Sequence, residues 1–261
     1  MIRLVVSDVD GTMMDETENI PYQISELKAL IEEKGVLFTI ASGREYSQIA
    51  ELEELLEIKI PVIMCNGTAA RNKSGYCWCE TMNPEIAKYI IEKADQYGMT
   101  VILSMPDGEF AYRRTAFVEQ TIKQFCRFGN TLSLKDKSWR ELSIQKILII
   151  DKDQHPEFKD LLLLLDTYKN DLTYVSFGTS IDIVPKGCNK ASGIRKLAAL
   201  LDINMNEIMA IGDGHNDIEM VRESGIGVAV NNAADELKAC ADYACSGKYI
   251  DGVMEAIRKF C

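Results

Sequence analysis

The chain has 261 residues, 47% hydrophobic and 26% charged, which is enough apolar content for one large packed domain or two modest ones and rules out disorder as the main theme. Forty acidic residues against 29 basic give a net charge of −11, which argues against a binder of nucleic-acid phosphates. The longest leucine run, Leu161 to Leu165, falls far short of the roughly 20 apolar residues of a membrane span, and no apolar stretch of signal-peptide length follows Met1. The expectation is a cytoplasmic protein with neither nucleic acid nor membrane as partner.

Ile2 to Ser7 is an apolar, β-branched run that ends in Asp-Val-Asp-Gly, and the helix after it places Ile24, Leu27, Leu30 and Ile31 on one face before Gly35 stops it. Val36 to Ala41 reads as a second buried strand, Glu45 to Leu56 as a helix, and Pro61 to Met64 as a third strand closed by Asn66-Gly67. Strands alternating with helices predict a parallel sheet with right-handed crossovers. From about Thr81 the rhythm changes. A helix after Pro84 leads to strands near Thr100 to Ser104 and Glu109 to Tyr112, joined by the turn Pro106-Asp107-Gly108 and so antiparallel. A helix (Ala116 to Phe128), a strand (Ile144 to Ile150), a helix (Pro156 to Tyr168) and a strand pair (Leu172 to Ser176, Ser180 to Val184) follow. The first rhythm then returns: helix Ala191 to Leu201, strand Glu207 to Ile211, helix Asn216 to Glu223, strand Ile226 to Val230, helix Asp251 to Phe260. The predicted fold is therefore α/β, a Rossmann-like parallel-sheet core formed by 1–81 and 186–261 and interrupted by an α+β domain at 82–185. Acidity belongs to the core: the stretch 81–185 holds 15 acids and 13 bases, the remainder 25 and 16.

The eight cysteines are scattered, without a Cys-x-x-Cys pair, and there are only two histidines, His155 and His215. Reduced thiols are expected, and neither a Cys/His zinc site nor a histidine-based triad has support. In an open parallel sheet ligands bind at the carboxyl ends of strands. Three such ends carry the polar residues: Asp8-Val9-Asp10-Gly11-Thr12, Ser42-Gly43-Arg44, and Gly212-Asp213-Gly214-His215-Asn216-Asp217. Asp8 and Asp10 close an apolar strand and repel one another unless a cation lies between them; with Asp213 and Asp217 at another strand end, the set suits Mg²⁺, which wants oxygen ligands. Ser42 and Gly43 offer a hydroxyl and an unhindered amide that can hold phosphate, or are simply the small residues of a turn. Lys190, just ahead of a helix, opposes the helix dipole unless an anion is near; otherwise it is an exposed lysine. His215 and Asn216 fit a role at the substrate or plain N-cap chemistry. No G-x-x-x-x-G-K-[ST], strand-helix G-x-G-x-x-G or G-x-S-x-G is present.

In order and spacing, Asp8-Val9-Asp10-Gly11-Thr12, Ala41-Ser42-Gly43-Arg44, Lys190 and Gly212-Asp213 with Asn216-Asp217 resemble the four motifs of the haloacid dehalogenase-like phosphatases. The insertion between the second and third motifs resembles the C2-type cap of the Cof-type subfamily. That resemblance implies Asp8 as the nucleophile that becomes an aspartyl phosphate and Asp10 as general acid and base. It implies Asp8, the Asp10 carbonyl and Asp213 as Mg²⁺ ligands, and Ser42, Gly43, Lys190 and Asn216 as phosphate-binding residues. Asp217 would support the metal or orient Lys190. A small phosphorylated metabolite, most of all a sugar phosphate, is the implied substrate. Ser42 stands where threonine is commoner, which keeps the hydroxyl. Three other readings share some of these features: a phosphomutase on the same fold, a receiver-like signalling module, and a silent phosphometabolite binder. The Asp-x-Asp pair and the insertion count against the receiver-like module, and the intact Asp8 and Asp10 against the silent binder.

Overall fold

In the computed structural model, which describes residues 1–17, 19–125, 128–132 and 138–261, the elements in chain order begin with strand β1 (Leu4–Ser7), helix α1 (Ile24–Lys34), strand β2 (Leu37–Ile40), helix α2 (Ala50–Leu55) and strands β3 (Val62–Met64), β4 (Ala69–Asn72) and β5 (Gly75–Cys79). Next come α3 (Pro84–Gln96), β6 (Thr100–Met105), β7 (Gly108–Ala111), α4 (Ala116–Phe125), β8 (Asn130–Thr131), β9 (Lys146–Ile150), α5 (Phe158–Thr167), β10 (Leu172–Ser176) and β11 (Ser180–Pro185). The chain ends with α6 (Lys190–Leu201), β12 (Ile208–Gly212), α7 (Ile218–Glu223), β13 (Ile226–Ala229), α8 (Asp235–Lys238), β14 (Tyr243–Ala244) and α9 (Tyr249–Phe260). It divides into two compact units, Met1–Trp78 with Asn189–Cys261, and Cys79–Cys188.

The first unit is built on an all-parallel sheet in the order β14-β13-β12-β1-β2. Its strands are short and almost wholly apolar, as strands covered on both faces must be: Leu4, Val5, Val6, Ile208, Met209, Ala210 and Ile211 are all buried. Helices α1, α6 and α9 add Leu27, Ile194, Leu197, Val253 and Ile257 to the same core. Gly35 caps α1 in the left-handed conformation, with φ 64°. The sheet grows from β1 in both directions, through β2 on one side and β12 on the other. β1 is thus the point where strand order switches, and Asp8 leaves it.

Two expectations for this unit need correction. The helix expected over 45–56 is a 3₁₀ turn at Tyr46–Gln48 followed by the short α2, because the Glu45 side chain accepts the Ser47 N–H at 2.9 Å and starts the turn as an N-cap. The third strand does not extend the parallel sheet as a full member. β3 touches it only through a parallel bridge between Ala41 and Ile63, then pairs antiparallel with β4 in a separate sheet, β3-β4-β5. Cys65, Asn66 and Gly67 have φ values of 50°, 54° and 87°, and this left-handed run reverses the chain where a crossover helix would have had to begin.

The second unit is a six-stranded sheet in the order β10-β11-β9-β6-β7-β8, antiparallel except for β7 with β8. Alternation along its strands sorts the side chains. Val101, Leu103, Ile147, Ile149, Ile181 and Ile183 pack with α3 and α5, while Ile102 and Ile150 form a smaller cluster with Val118 of α4. Asn83 caps α3, with Pro84 in the first turn of the helix expected after it. The final residues of the helix expected to Phe128 include 126 and 127, which lie outside the described residues. Among the described residues no helix is long and apolar enough to cross a membrane.

Candidate active site

The register of the central sheet brings the three polar strand ends together. β1 pairs with β12 from Leu4 and Ile208 to Ser7 and Ile211, and with β2 from Leu4 and Leu37 to Ser7 and Ile40. Asp8 continues that register, its N–H donating to Ile211 O at 2.9 Å, and is buried. Lys190 opens α6, whose N-cap Asn189 accepts the Ser192 N–H at 2.7 Å. The ammonium of Lys190, 1% exposed, lies 2.6 Å from Oδ1 of Asp8 and 2.6 Å from Oδ1 of Asp217. The cation at an unfavourable helix terminus thus has its anions within contact.

Asp217 is engaged at both oxygens, since Oδ2 accepts the N–H groups of Asp213 (3.0 Å) and Gly214 (2.9 Å). It fastens the loop after β12 to Lys190. Asp213 Oδ1 accepts the Thr12 hydroxyl at 2.6 Å. Gly11, at φ 77°, passes so close that a Cβ there would stand 2.2 Å from Asp213 Oδ2, so only glycine fits this turn. Asp8, Asp213 and Asp217 each present a carboxylate oxygen within 4.8 Å of the others. Three carboxylates close to one ammonium leave an excess of negative charge in a buried place, which disfavours their ionising together. Burial, then the nearby Asp217, push the Asp8 carboxyl well above the usual range against the pull of Lys190. Asp213 is pushed up to about 6 by burial and by Asp217. Lys190 is raised: burial opposes its charge, but Asp217 and Asp8 outweigh it. Carboxylates that resist ionisation together, all oxygen donors, fit a hard divalent cation.

Asp10 lies outside this cluster. Its side chain, 51% exposed, pairs with Arg44, whose Nε donates to Oδ1 at 3.0 Å and to Oδ2 at 2.9 Å and whose Nη2 donates to Oδ1. Ser42 is fully buried; its Oγ accepts the Arg44 N–H at 3.1 Å and its N–H donates to Ile63 O at 3.0 Å. Gly43 follows in the same turn, half-buried. Asn216, half-buried, donates from Nδ2 to Asn66 Oδ1 at 3.2 Å, and His215 is exposed. Asp8, Asp213, Asp217 and Lys190 therefore converge by direct contact or near approach. Thr12, Arg44 and Asn66 were legible only as members of motifs or turns; their polar side chains mark them as candidates, but their partners lie far away in sequence.

A haloacid dehalogenase-like hydrolase family model matches residues 5–257. The chain belongs to that family. Among relatives, it is 29% identical over 259 residues to a Bacillus subtilis 5-amino-6-(5-phospho-D-ribitylamino)uracil phosphatase, covering 98% of this chain and 95% of the other. It is 27% identical over 259 residues to a phosphoglycolate phosphatase of Methanobrevibacter smithii, covering 99% and 98%. The fold matches a Bacteroides thetaiotaomicron phosphatase of the superfamily, with a TM-score of 0.81 and 25% identity over 100% of this chain and 95% of that one. It also matches a subclass IIB sugar phosphatase, with a TM-score of 0.83 and 24% identity over 99% and 98%. The haloacid dehalogenase-like fold thus spans both units of the chain.

Proposed function

We propose that this phosphoric monoester hydrolase removes phosphate from a small phosphorylated metabolite, with a sugar phosphate as the leading class, through an aspartyl phosphate on Asp8. The observation that carries the reading is the contact of Lys190 with Asp8 and Asp217 at the end of β1, with a second aspartate two residues on whose side chain turns elsewhere. Asp8 is held by Lys190 and stripped of bulk water, which suits a carboxylate that must attack phosphorus. In the first transfer a bond forms between an Asp8 oxygen and phosphorus as the bond from phosphorus to the leaving oxygen breaks, and that oxygen takes a proton from Asp10. In the second, a water oxygen bonds to phosphorus and its proton passes to Asp10; the Asp8–phosphorus bond breaks, and phosphate and the Asp8 carboxylate are restored.

Asp8, Asp213 and the main-chain carbonyl of Asp10 would hold Mg²⁺, which when bound neutralises charge on the carboxylates and the phosphoryl oxygens. Asp217, engaged at both oxygens, keeps Lys190 and the 213–214 loop in place. Ser42 accepts the Arg44 N–H and so keeps its own proton to donate to a phosphoryl oxygen; the Gly43 amide, Lys190 and Asn216 complete the phosphate set. The relatives named for a ribitylamino-uracil phosphate and for phosphoglycolate support a small organic phosphate. The second unit, as a cap, would select among such esters.

Rapid quench with p-nitrophenyl phosphate and intact-mass detection tests this mechanism. Wild type and Asp10→Asn should carry one phosphoryl group, with Asp10→Asn turning over slowly, whereas Asp8→Asn should carry none and lose at least about 10³-fold in kcat. Turnover near wild type in Asp8→Asn sinks the reading.

A further inference from the structure

Arg44 closes the Ser42-Gly43-Arg44 turn, and its backbone is fixed from both sides: its N–H donates to Ser42 Oγ at 3.1 Å and its carbonyl accepts the Cys65 N–H at 2.9 Å. Its side chain is 10% exposed, against 51% for its partner Asp10, so the guanidinium is the anchored member of the pair and the carboxylate the one with room around it. The bonding is uneven. Among the described residues, Oδ1 of Asp10 accepts from both Nε and Nη2, whereas Oδ2 accepts from Nε alone, which it shares. A guanidinium has donors and no acceptor and stays charged, so it cannot relay a proton; what it can do is fix the plane and rotation of the carboxylate it grips. An ion pair with one half-exposed member adds little to stability, so the contribution of this pair lies in geometry.

We infer that Arg44 is a positioning residue for the proton carrier: it holds Asp10 by Oδ1 and leaves Oδ2 as the atom that gives a proton to the leaving oxygen and takes one from water. The inference rests on the assignment of Asp10 in the preceding subsection. It explains why an arginine, which has no place among the groups around Asp8, ends the turn that presents Ser42. A lysine would supply the charge but not the fork.

The test compares kcat/KM for wild type, Arg44→Ala, Arg44→Lys, Asp10→Asn and the double variant Arg44→Ala/Asp10→Asn on phosphate esters of graded leaving groups, from p-nitrophenol to a simple alcohol, with Mg²⁺ present. An acidic phenol departs without protonation and an alcohol does not, so a misplaced proton carrier shows as dependence on the leaving group. Arg44→Ala should lose about 100-fold on the alkyl ester, in kcat more than in KM, and only about threefold on the aryl ester. Arg44→Lys should follow it, and the double variant should be no slower than Asp10→Asn. An equal loss on every ester, a change confined to KM, or additive losses in the double variant would overturn the inference while leaving Asp10 in its role. If Asp10→Asn itself showed no dependence on leaving group, the assignment of Asp10 would fail instead. Should Arg44→Ala fold poorly by circular dichroism, Arg44→Lys, which keeps the charge, carries the same comparison.

Discussion

Asp8, Asp213 and Asp217 face a single ammonium, and their mutual repulsion sets how the protein answers to pH and to metal. Asp213, held near 6, keeps its proton in the folded state at pH values where an unfolded aspartate has lost it. Between about pH 4 and pH 6 the metal-free folded state therefore binds more protons than the unfolded one, and stability falls as pH rises through that window. Asp8, shifted in the same direction, adds to the trend. A divalent cation held by these carboxylates would favour the ionised form and reverse the trend. The rise in Tm on adding Mg²⁺ should accordingly be small at pH 5 and clearly larger at pH 7.5, as differential scanning fluorimetry of chelator-treated protein would show. Equal shifts at both pH values would mean that the carboxylates are not the cation's ligands. The residue types and spacings of this cluster were legible because each sits at the end of an apolar strand. Its pairings were not: Asp10 with Arg44, Thr12 with Asp213 and Asn216 with Asn66 are tertiary contacts between segments far apart in the chain, and no local pattern encodes which oxygen meets which nitrogen.

The helix that carries Lys190 is placed by a backbone contact. Gly67, at φ 87°, lies against Asn189, the N-cap of α6, so closely that a Cβ would fall 2.1 Å from the Asn189 carbonyl oxygen. Gly67→Ala must therefore move α6 or the turn, and both strain and displacement follow. A stability loss of about 2 kcal/mol in urea denaturation is expected, with a fall in kcat as Lys190 shifts from Asp8; an unchanged midpoint and rate would show that the contact is not a constraint. At this scale the sequence is an uneven guide. β6 and β7 were readable because Pro106-Asp107-Gly108 announces their turn, and the pair is antiparallel. β5, Gly-Tyr-Cys-Trp-Cys, reads as a strand-like stretch with Cys77 and Cys79 on one face, but its sheet is not legible: Tyr76, Cys77 and Cys79 are exposed and Trp78 alone turns inward, its indole N–H reaching Gly67 O at 3.2 Å. β14 and β8 have two residues each, too few to show a period. Trp78 and Cys79 also explain why the units divide outside the expected 82–185: Trp78 packs on the first unit's core, while Cys79 Sγ accepts from Gln145 of the second.

Every group assigned to the chemistry belongs to the first unit, and that unit has its own hydrophobic core, as the second does. Replacing 79–188 with a short Gly/Ser linker should thus leave a folded protein that hydrolyses p-nitrophenyl phosphate at a measurable rate but ranks sugar phosphates nearly alike. Specificity constants over one panel for the parent and the shortened chain decide it; an unchanged ranking would place substrate selection in the first unit. The sheet order has one more consequence, and it concerns biosynthesis. β1 pairs with β2 soon after both are made, but its other neighbour is β12, in which Ile208 is the partner of Leu4. A ribosome must deliver the whole inserted unit, whose strands pair with closer neighbours, before the hydrogen-bonding edge of β1 is covered. A nascent chain paused before Ile208 presents Leu4, Val5 and Val6 along an unpaired apolar edge, the kind of surface that chaperones hold and that aggregates when they do not. Asp8 meets its counter-charge only when Lys190 emerges, so the pair proposed to carry the chemistry forms late in synthesis.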